Sequence, residues 1–247
     1  MIGCDCPVCR SDDPRDRRFR ASVAVSLPQG GPTGGRAILI DAAPELRLAA
    51  VACGLQRVDA VLLTHSHADH IIGLDDLRRY NNISGQTIPC YADAATLDVV
   101  RRCFGYALGP YEHPDRPSLS LETLDGPREI CGATVIPVPL IHGRPRILGF
   151  RIGGLAYCTD CSAIPSESLP LLEDLDVLVL DALRYTPHPT HFNLAQALEA
   201  AGTLRARRTL LTHIAHEILH AKTSAELPPG VELAYDGLRA TASMNRR

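Results

Sequence analysis

The sequence predicts an α/β (α+β) protein with two mixed sheets and helices on their outer faces. Short apolar runs typical of buried strands alternate with stretches that carry helix start and stop signals. Strand candidates then cluster between residues 119 and 159. Two sheets packed face to face, with helices outside, account for this order. The length of 247 residues suits one domain, so we expect a single domain over residues 1–247.

Local signals place the individual elements. A helix over residues 44–53 begins at a proline, which suits a first helical turn, and ends before Gly54. Residues 58–63 form a short apolar run and are expected to be a buried strand. The other predicted strands cover residues 21–27, 36–41, 134–141, 155–159, 176–180 and 209–212, and the other predicted helices cover residues 71–80, 93–104, 166–173 and 194–201, the last ending at Gly202.

Composition narrows the functional classes. Hydrophobic residues make up 45% of the chain and aromatic residues only 4%, so core packing must depend on Leu, Val, Ile and Ala. The formal net charge of −3 provides no basic surface for a nucleic-acid backbone. No apolar run reaches the roughly 20 residues that a membrane helix needs. We therefore expect neither a nucleic acid nor a membrane as a partner.

The most informative segment is Thr-His-Ser-His-Ala-Asp-His at residues 64–70, directly after a predicted strand. It brings three imidazoles and one carboxylate into a single turn. Neutral imidazole and carboxylate are good ligands for zinc, iron and manganese. A His-x-His pair at a strand end can direct two rings to one metal, and the Asp-His pair can serve a second. The segment therefore predicts metal binding.

Four apolar strand candidates further along the chain also end in polar residues. Each of these residues taken singly is an ordinary cap or turn residue, but together they form an ordered set. They are His142, Asp160, Asp181 and His213. With the segment at residues 64–70, this set resembles the metallo-β-lactamase superfamily, in which five separate regions contribute to one two-metal site. The resemblance implies the αββα sandwich of that family.

The same resemblance implies a role for each ligand. His65, His67 and His142 would hold one divalent metal, Asp69, His70 and His213 the other, and Asp160 would bridge the two. These donors suit Mn, Zn or Fe. Two such metals lower the pKa of a shared water and stabilise charge on the reacting group. Asp41 matches an early aspartate of the family that fixes ligand imidazoles through their second ring nitrogen, with a plain turn role as the alternative.

Three thiols near the start of the chain, Cys4, Cys6 and Cys9, form a second candidate metal site. A disulfide framework is the alternative, but nine cysteines are an odd number and two of the clustered thiols are separated by one residue. Close thiolates that need one more ligand are typical of structural zinc of the Cys₃His type. His216 is the expected fourth ligand. We thus predict a zinc-binding segment at residues 3–10.

The Gly-Cys-x-Cys-x-x-Cys and Thr-His-Ile-x-His segments together resemble one branch of the superfamily, the phosphoribosyl cyclic phosphodiesterases of the PhnP type. Members of this branch carry a further strand ahead of the cysteines. Either the start codon is misassigned or, as we expect, the fold lacks the usual first strand. The resemblance also implies a homodimer. The start at Met1 without a signal peptide, the odd cysteine count and the thiolate cluster together indicate a reducing cytoplasm.

Two further residues are implied to act on the substrate. Asp181 and His191 occupy the positions at which this branch has an aspartate and a histidine facing the metals. His191 would protonate a leaving alkoxide, and Asp181 would hold its working tautomer. The alternatives are a surface histidine and a turn aspartate. His188 lies in the same loop, could contact substrate, and is left outside the catalytic pair.

The remaining chemistry-bearing residues are given structural roles. His113 and His220 are expected at the surface, and Cys158 and Cys161 are expected to pack in the interior despite their Cys-x-x-Cys spacing.

The expected function is hydrolysis of a small cyclic phosphodiester, such as a phosphoribosyl 1,2-cyclic phosphate or a nucleoside cyclic phosphate. One alternative is a nuclease of the tRNA 3′-processing kind, which the charge balance does not favour. Another is a non-catalytic metal-binding accessory protein on the same fold. Intact candidate ligands in all five regions count against that reading.

Overall fold

The computed structural model describes residues 1–28 and 35–244. The chain divides into two compact units, one of Arg20–Pro137 and one of Met1–Phe19 with Val138–Arg247. We name them the 20–137 unit and the 138–247 unit. The structure contains two sheets together with helices, so the predicted mixed α/β class is confirmed. The expectation of a single domain over residues 1–247 stays a prediction.

The 20–137 unit is built on a five-stranded sheet. Its elements are β1 (Val23–Leu27), β2 (Arg36–Ile40), α1 (Leu46–Cys53), β3 (Ala60–Leu62), α2 (Ala68–Ile71), α3 (Arg78–Ser84), β4 (Ile88–Ala92), α4 (Ala94–Cys103), β5 (Leu119–Thr123), β6 (Arg128–Ile130) and β7 (Ala133–Ile141). The sheet order is β1-β2-β3-β4-β5, with β1 antiparallel to β2 and the other neighbours parallel. β6 and the start of β7 form an antiparallel hairpin.

Parallel pairing brings the ends of β2 and β3 to one edge of this sheet. Ile40 pairs with Leu62, and the backbone N–H of Asp41 donates to the carbonyl of Leu62 at 2.8 Å. Leu39 and Val61 are buried in the core beneath this edge. The residues that follow β2 and β3, Asp41 and the histidine segment, therefore leave the sheet side by side.

The helix expected over residues 71–80 is wrong as a continuous element. The structure has α2, a 3-10 turn over Ile72–Leu77, and then α3. The cause is a close approach at Gly73, whose N–H donates to the Ala42 carbonyl at 2.8 Å. A Cβ on Gly73 would lie 2.1 Å from the carbonyl oxygen of Ala43. This contact holds the histidine segment against the loop that carries Asp41.

The 138–247 unit contains the end of β7 and a largely parallel sheet. Its further elements are β8 (Arg146–Ile152), β9 (Leu155–Cys158), β10 (Val177–Asp181), α5 (Leu194–Leu204), β11 (Arg208–Thr212), α6 (His220–Ser224) and β12 (Val231–Leu233). β8 and β9 are antiparallel, whereas β9, β10, β11 and β12 pair in parallel in that order. Leu180 pairs with Cys158, and Asp181 with Thr212. The polar residues that end these strands therefore lie at one edge.

Two helix predictions in this unit need correction. Residues Ser166–Leu172 form a 3-10 helix with Pro170 inside it, and a proline ring in an α-helix would clash with the carbonyl four residues earlier. α5 passes through Gly202 and ends at Leu204, and Arg205 takes the left-handed C-cap conformation at φ 52°. Asn193 begins this helix with a capping box to Gln196, which fixes the chain just after the loop that bears His191.

None of the helices in residues 1–28 and 35–244 is long and apolar enough to cross a membrane.

Candidate active site and cysteine cluster

The histidine segment of the 20–137 unit places three imidazoles in contact. Nε2 of His65 lies 2.9 Å from Nδ1 of His67, and the rings of His65 and His70 have centroids 4.3 Å apart. Nε2 of His70 lies 3.5 Å from a carboxylate oxygen of Asp69. His65 and His70 are buried, whereas His67 is exposed. The four predicted ligands of this segment thus lie together in one turn after β3.

Asp41 and Thr64 fix the orientation of two of these rings. Nδ1 of His70 donates to Asp41 Oδ2 at 2.7 Å. The Thr64 hydroxyl donates to the same carboxylate at 2.9 Å, so its lone pair accepts from Nδ1 of His65 at 3.0 Å. Because Nδ1 of each ring carries the proton and is hydrogen-bonded, the lone pair of Nε2 remains to ligate a metal. Such outer partners orient metal-binding imidazoles, and this is the task that the sequence predicted for Asp41.

The 138–247 unit gathers a second set of candidate ligands. Nε2 of His213 lies 3.3 Å from Asp160 Oδ1. The ligand atoms of His142, Asp160 and His191 lie within 4.8 Å of one another. Nδ1 of His142 donates to the carbonyl of Thr190 at 2.9 Å, which again leaves Nε2 for a metal. The donor types and the fixed tautomers fit divalent metals such as Zn, Mn or Fe.

Three of the predicted residues have an unusual backbone conformation. Asp41, Asp160 and His213 have φ values of 60°, 56° and 57°. A non-glycine residue in this left-handed region costs about 1–3 kcal/mol and persists where its surroundings enforce it, commonly at functional sites. Each of the three follows a β-strand end, so this backbone turn directs the side chain away from the sheet edge.

Asp181 and His191 form a buried pair in the 138–247 unit. Nδ1 of His191 donates to Asp181 Oδ2 at 3.0 Å, and Nε2 of His191 lies 4.0 Å from Asp160 Oδ2. The rings of His191 and His213 stack with centroids 4.9 Å apart. Burial raises the pKa of Asp181 to about 6. The surface alternative for His191 is wrong, since only 8% of the residue is exposed.

The predicted zinc ligands lie together at the start of the chain. Nδ1 of His216 is 3.4 Å from Cys4 Sγ and 3.3 Å from Cys6 Sγ, and the four ligand atoms including Cys9 Sγ lie within 4.8 Å of one another. A tetrahedral zinc with Zn–S bonds near 2.3 Å separates its ligand atoms by about 3.7 Å. The backbone N–H of Cys9 and the His216 ring lower the pKa of Cys6 to about 6, which favours thiolate. All three cysteines are free.

The expectation for His220 is wrong. It is 4% exposed and lies beneath the N-terminal segment, where its backbone N–H donates to Asp16 Oδ1 at 2.8 Å. Arg18 pairs with the same carboxylate at 2.9 Å. No local motif indicates this contact, because the partners are distant in sequence. Cys158 and Cys161 are fully buried, as expected for packing residues, and burial raises the pKa of Cys158 to about 12.

Comparisons with known proteins agree with these observations. A family model described as the beta-lactamase superfamily domain matches residues 36–214. An octanoyltransferase of Porphyromonas gingivalis (strain ATCC BAA-308 / W83) is 37% identical over 97% of this chain and 48% of that protein. Coenzyme PQQ synthesis protein B of Xanthomonas axonopodis pv. citri (strain 306) is 30% identical over 66% of this chain and 51% of that protein. The chain thus spans about half the length of these two relatives.

Among solved structures, the crystal structure of a diphosphatase from the PhnP family superposes with a TM-score of 0.89 and 42% identity. The match covers 98% of this chain and 92% of that one. The chain belongs to the metallo-β-lactamase superfamily of hydrolases, in its PhnP branch.

Proposed function

We propose that this protein is a metal-dependent hydrolase of small phosphodiesters. Its substrates would be cyclic esters such as phosphoribosyl 1,2-cyclic phosphate or nucleoside cyclic phosphates. The observation that carries the proposal is the Asp181–His191 pair, a carboxylate-oriented imidazole whose free edge faces Asp160. Membership of the superfamily and similarity to a PhnP-family diphosphatase support it.

The proposal assigns the ligands of the two units to two divalent metals. His65, His67 and His142 would hold one metal, Asp69, His70 and His213 the other, and Asp160 would bridge them. When bound, such a metal pair activates a water and stabilises charge on the phosphoryl oxygens. The support is that Thr64, Asp41 and Thr190 already hold three of the imidazoles by Nδ1. Elemental analysis of the purified protein would identify the metals among Mn, Zn and Fe.

His191 supplies the acid in this proposal. Its Nδ1 proton is committed to Asp181, so proton transfer to the departing hydroxyl takes place at Nε2. Asp181 keeps the ring in that orientation and stabilises its charged form, as an orienting carboxylate does in a catalytic triad. Neither residue needs to bind a metal for this role.

A structural zinc held by Cys4, Cys6, Cys9 and His216 completes the proposal. Their ligand atoms converge within 4.8 Å, and Cys6 is poised to be a thiolate. His216 and the proposed metal ligand His213 share one short segment. The zinc would therefore help to hold the segment that carries His213.

The test is the His191→Ala variant measured with two substrates. General-acid help is worth about 10²–10⁴-fold, so hydrolysis of a cyclic ribose phosphate should fall by that order. The aryl leaving group of an activated aryl phosphodiester departs without a proton, so the rate of hydrolysis of that substrate should fall much less. His113→Ala, which changes an exposed histidine, is the matched control. Equal losses on both substrates, or loss of a metal from the variant, would contradict the acid role.

The second candidate is a non-catalytic accessory role, and the similarity to a coenzyme PQQ synthesis protein B favours cofactor synthesis as its setting. Pure metal-loaded protein that turns over no cyclic or aryl phosphodiester would favour the accessory role. Cleavage of structured RNA in preference to small esters would instead favour a nuclease.

A further inference from the structure

The loop before α5 contains a second histidine, His188, in a preorganised conformation. Prolines at positions 187 and 189 flank it and restrict the backbone on both sides. The guanidinium of Arg184 donates to the carbonyls of Thr186 at 3.2 Å and Pro187 at 2.8 Å. Little conformational entropy is then lost when the His188 ring binds a ligand.

Thr190 determines which nitrogen of His188 carries the proton. Its backbone N–H lies 3.3 Å from Nδ1 of His188, and its hydroxyl lies 3.2 Å from the same atom. A backbone N–H can only donate, so Nδ1 is an acceptor and the proton resides on Nε2. Burial and the nearby side chains of His191, Arg184 and His213 lower the pKa of His188, which keeps the ring neutral.

The Nε2–H of His188 is a donor beside the proposed acid. The ring centroid of His188 is 5.0 Å from that of His191, which in turn stacks on His213. Among the residues that the structure describes, the hydrogen bonds to the His188 ring are both made at Nδ1. The side chain is half-buried. A neutral imidazole can donate a hydrogen bond through its one N–H but carries no acidic proton to transfer. His188 is therefore suited to binding, and His191 to proton transfer.

We propose that His188 is a substrate-positioning residue whose Nε2–H donates to a phosphoryl oxygen of the substrate, with Thr190 setting its tautomer. Thr190 has a double role in this arrangement, since its carbonyl accepts from Nδ1 of His142 while its N–H and hydroxyl hold His188. This inference rests on the proposed function for the identity of the substrate. The ligand chemistry, an anionic phosphoryl oxygen, can be tested separately with inorganic phosphate.

The experiment compares His188→Gln with His188→Asn in the metal-loaded protein. The amide nitrogen of Gln reaches the position of Nε2, whereas that of Asn reaches only the position of Nδ1. A hydrogen bond to a charged group accounts for roughly a tenfold or larger change in affinity. His188→Asn should raise KM for the cyclic ester and Kd for inorganic phosphate by about that factor, with kcat changed little. His188→Gln should retain most of the wild-type values, and His113→Gln serves as the matched control.

The tautomer of His188 and its effect on substrate binding are tested by two independent measurements. Nitrogen-15 NMR of the wild-type imidazoles should show the His188 proton on Nε2, and a proton on Nδ1 would overturn the inference even if the variants fail to fold. Unchanged KM and phosphate affinity in His188→Asn would also overturn it, as would a loss confined to kcat. If the wild-type protein hydrolyses no phosphodiester, the proposed function fails, and phosphate affinity alone still decides the role of His188.

Discussion

Oδ2 of Asp181 lies 3.0 Å from Nδ1 of His191, with the Asp181 side chain fully buried. Its second oxygen, Oδ1, makes no hydrogen bond to the residues that the structure describes. Burial of this incompletely satisfied carboxylate raises its pKa to about 6. The ionised Asp181 carboxylate, which orients His191, therefore lowers the stability of the fold. Such a cost is common for residues that are retained for activity rather than for stability.

Asp181→Asn should stabilise the metal-free protein at pH 8, and in the metal-loaded protein it should lower the rate of phosphodiester hydrolysis. The folded-state pKa of Asp181 is raised from 3.8 to about 6, so between these values the folded protein binds more protons than the unfolded chain. Its free energy of unfolding consequently decreases as the pH rises through this window and stays lower above it. At 1.4 kcal/mol per pKa unit, the penalty at pH 8 amounts to roughly 3 kcal/mol at most.

Urea unfolding of wild-type and Asp181→Asn protein at pH 4.5 and pH 8 measures this difference. The gain in the free energy of unfolding should be larger at pH 8 than at pH 4.5. A variant that is destabilised equally at both pH values would show that the ionised carboxylate contributes to stability instead.

Cys6→Ser should reduce folded yield and melting temperature more than it changes the activity of the molecules that fold. A structural zinc site contributes folding free energy directly, and removing one thiolate weakens it. Zinc content by elemental analysis and thermal unfolding are the measurements. Cys103→Ser, which changes an exposed free thiol, is the control. Retention of both zinc and the melting temperature by Cys6→Ser would exclude the Cys₃His site.

Arg18→Met should destabilise the protein by about 3–5 kcal/mol, because it leaves the buried Asp16 carboxylate without its cationic partner. Arg18 also donates to the carbonyls of Ala215 at 3.2 Å and Ile218 at 2.8 Å, on either side of the zinc ligand His216. Zinc retention should fall with stability. Arg15→Met breaks an exposed pair with Asp13 and should change little. Equal unfolding midpoints for the two variants in urea would contradict this assignment.

A mild chelator should remove activity before it removes the fold. Catalytic metal sites keep an open position and exchange more readily than closed thiolate sites. Activity, metal content and circular dichroism followed across a chelator series provide the measurement. The activity that is lost at low chelator concentration should be restored by added Mn or Zn. The zinc of the cysteine cluster should be retained at those concentrations. Simultaneous loss of activity and secondary structure at every dose would show that the two kinds of site are not distinct.

The candidate ligands could be identified from the sequence because each ligand, or the short segment that carries it, comes soon after the end of a strand. Strand ends and residue chemistry are local properties, so the segment at residues 64–70 and the residues His142, Asp160 and His213 were recognisable from neighbouring residues alone. The same holds for the cysteine cluster, in which three thiols lie within six residues. Their order along the chain then gave the family and the mixed α/β class.

The tertiary structure decided how those residues are supported. Arg18 contacts residues almost two hundred positions away, and His142 donates to Thr190 across 48 positions. Gly73 interrupts a predicted helix because Ala42 and Ala43 approach it, and His220 is buried by the N-terminal segment. These contacts depend on how distant parts of the chain pack within each unit. Local sequence patterns report on neighbouring residues only, so the residues that fix the tautomers of the candidate site became visible only in the folded chain.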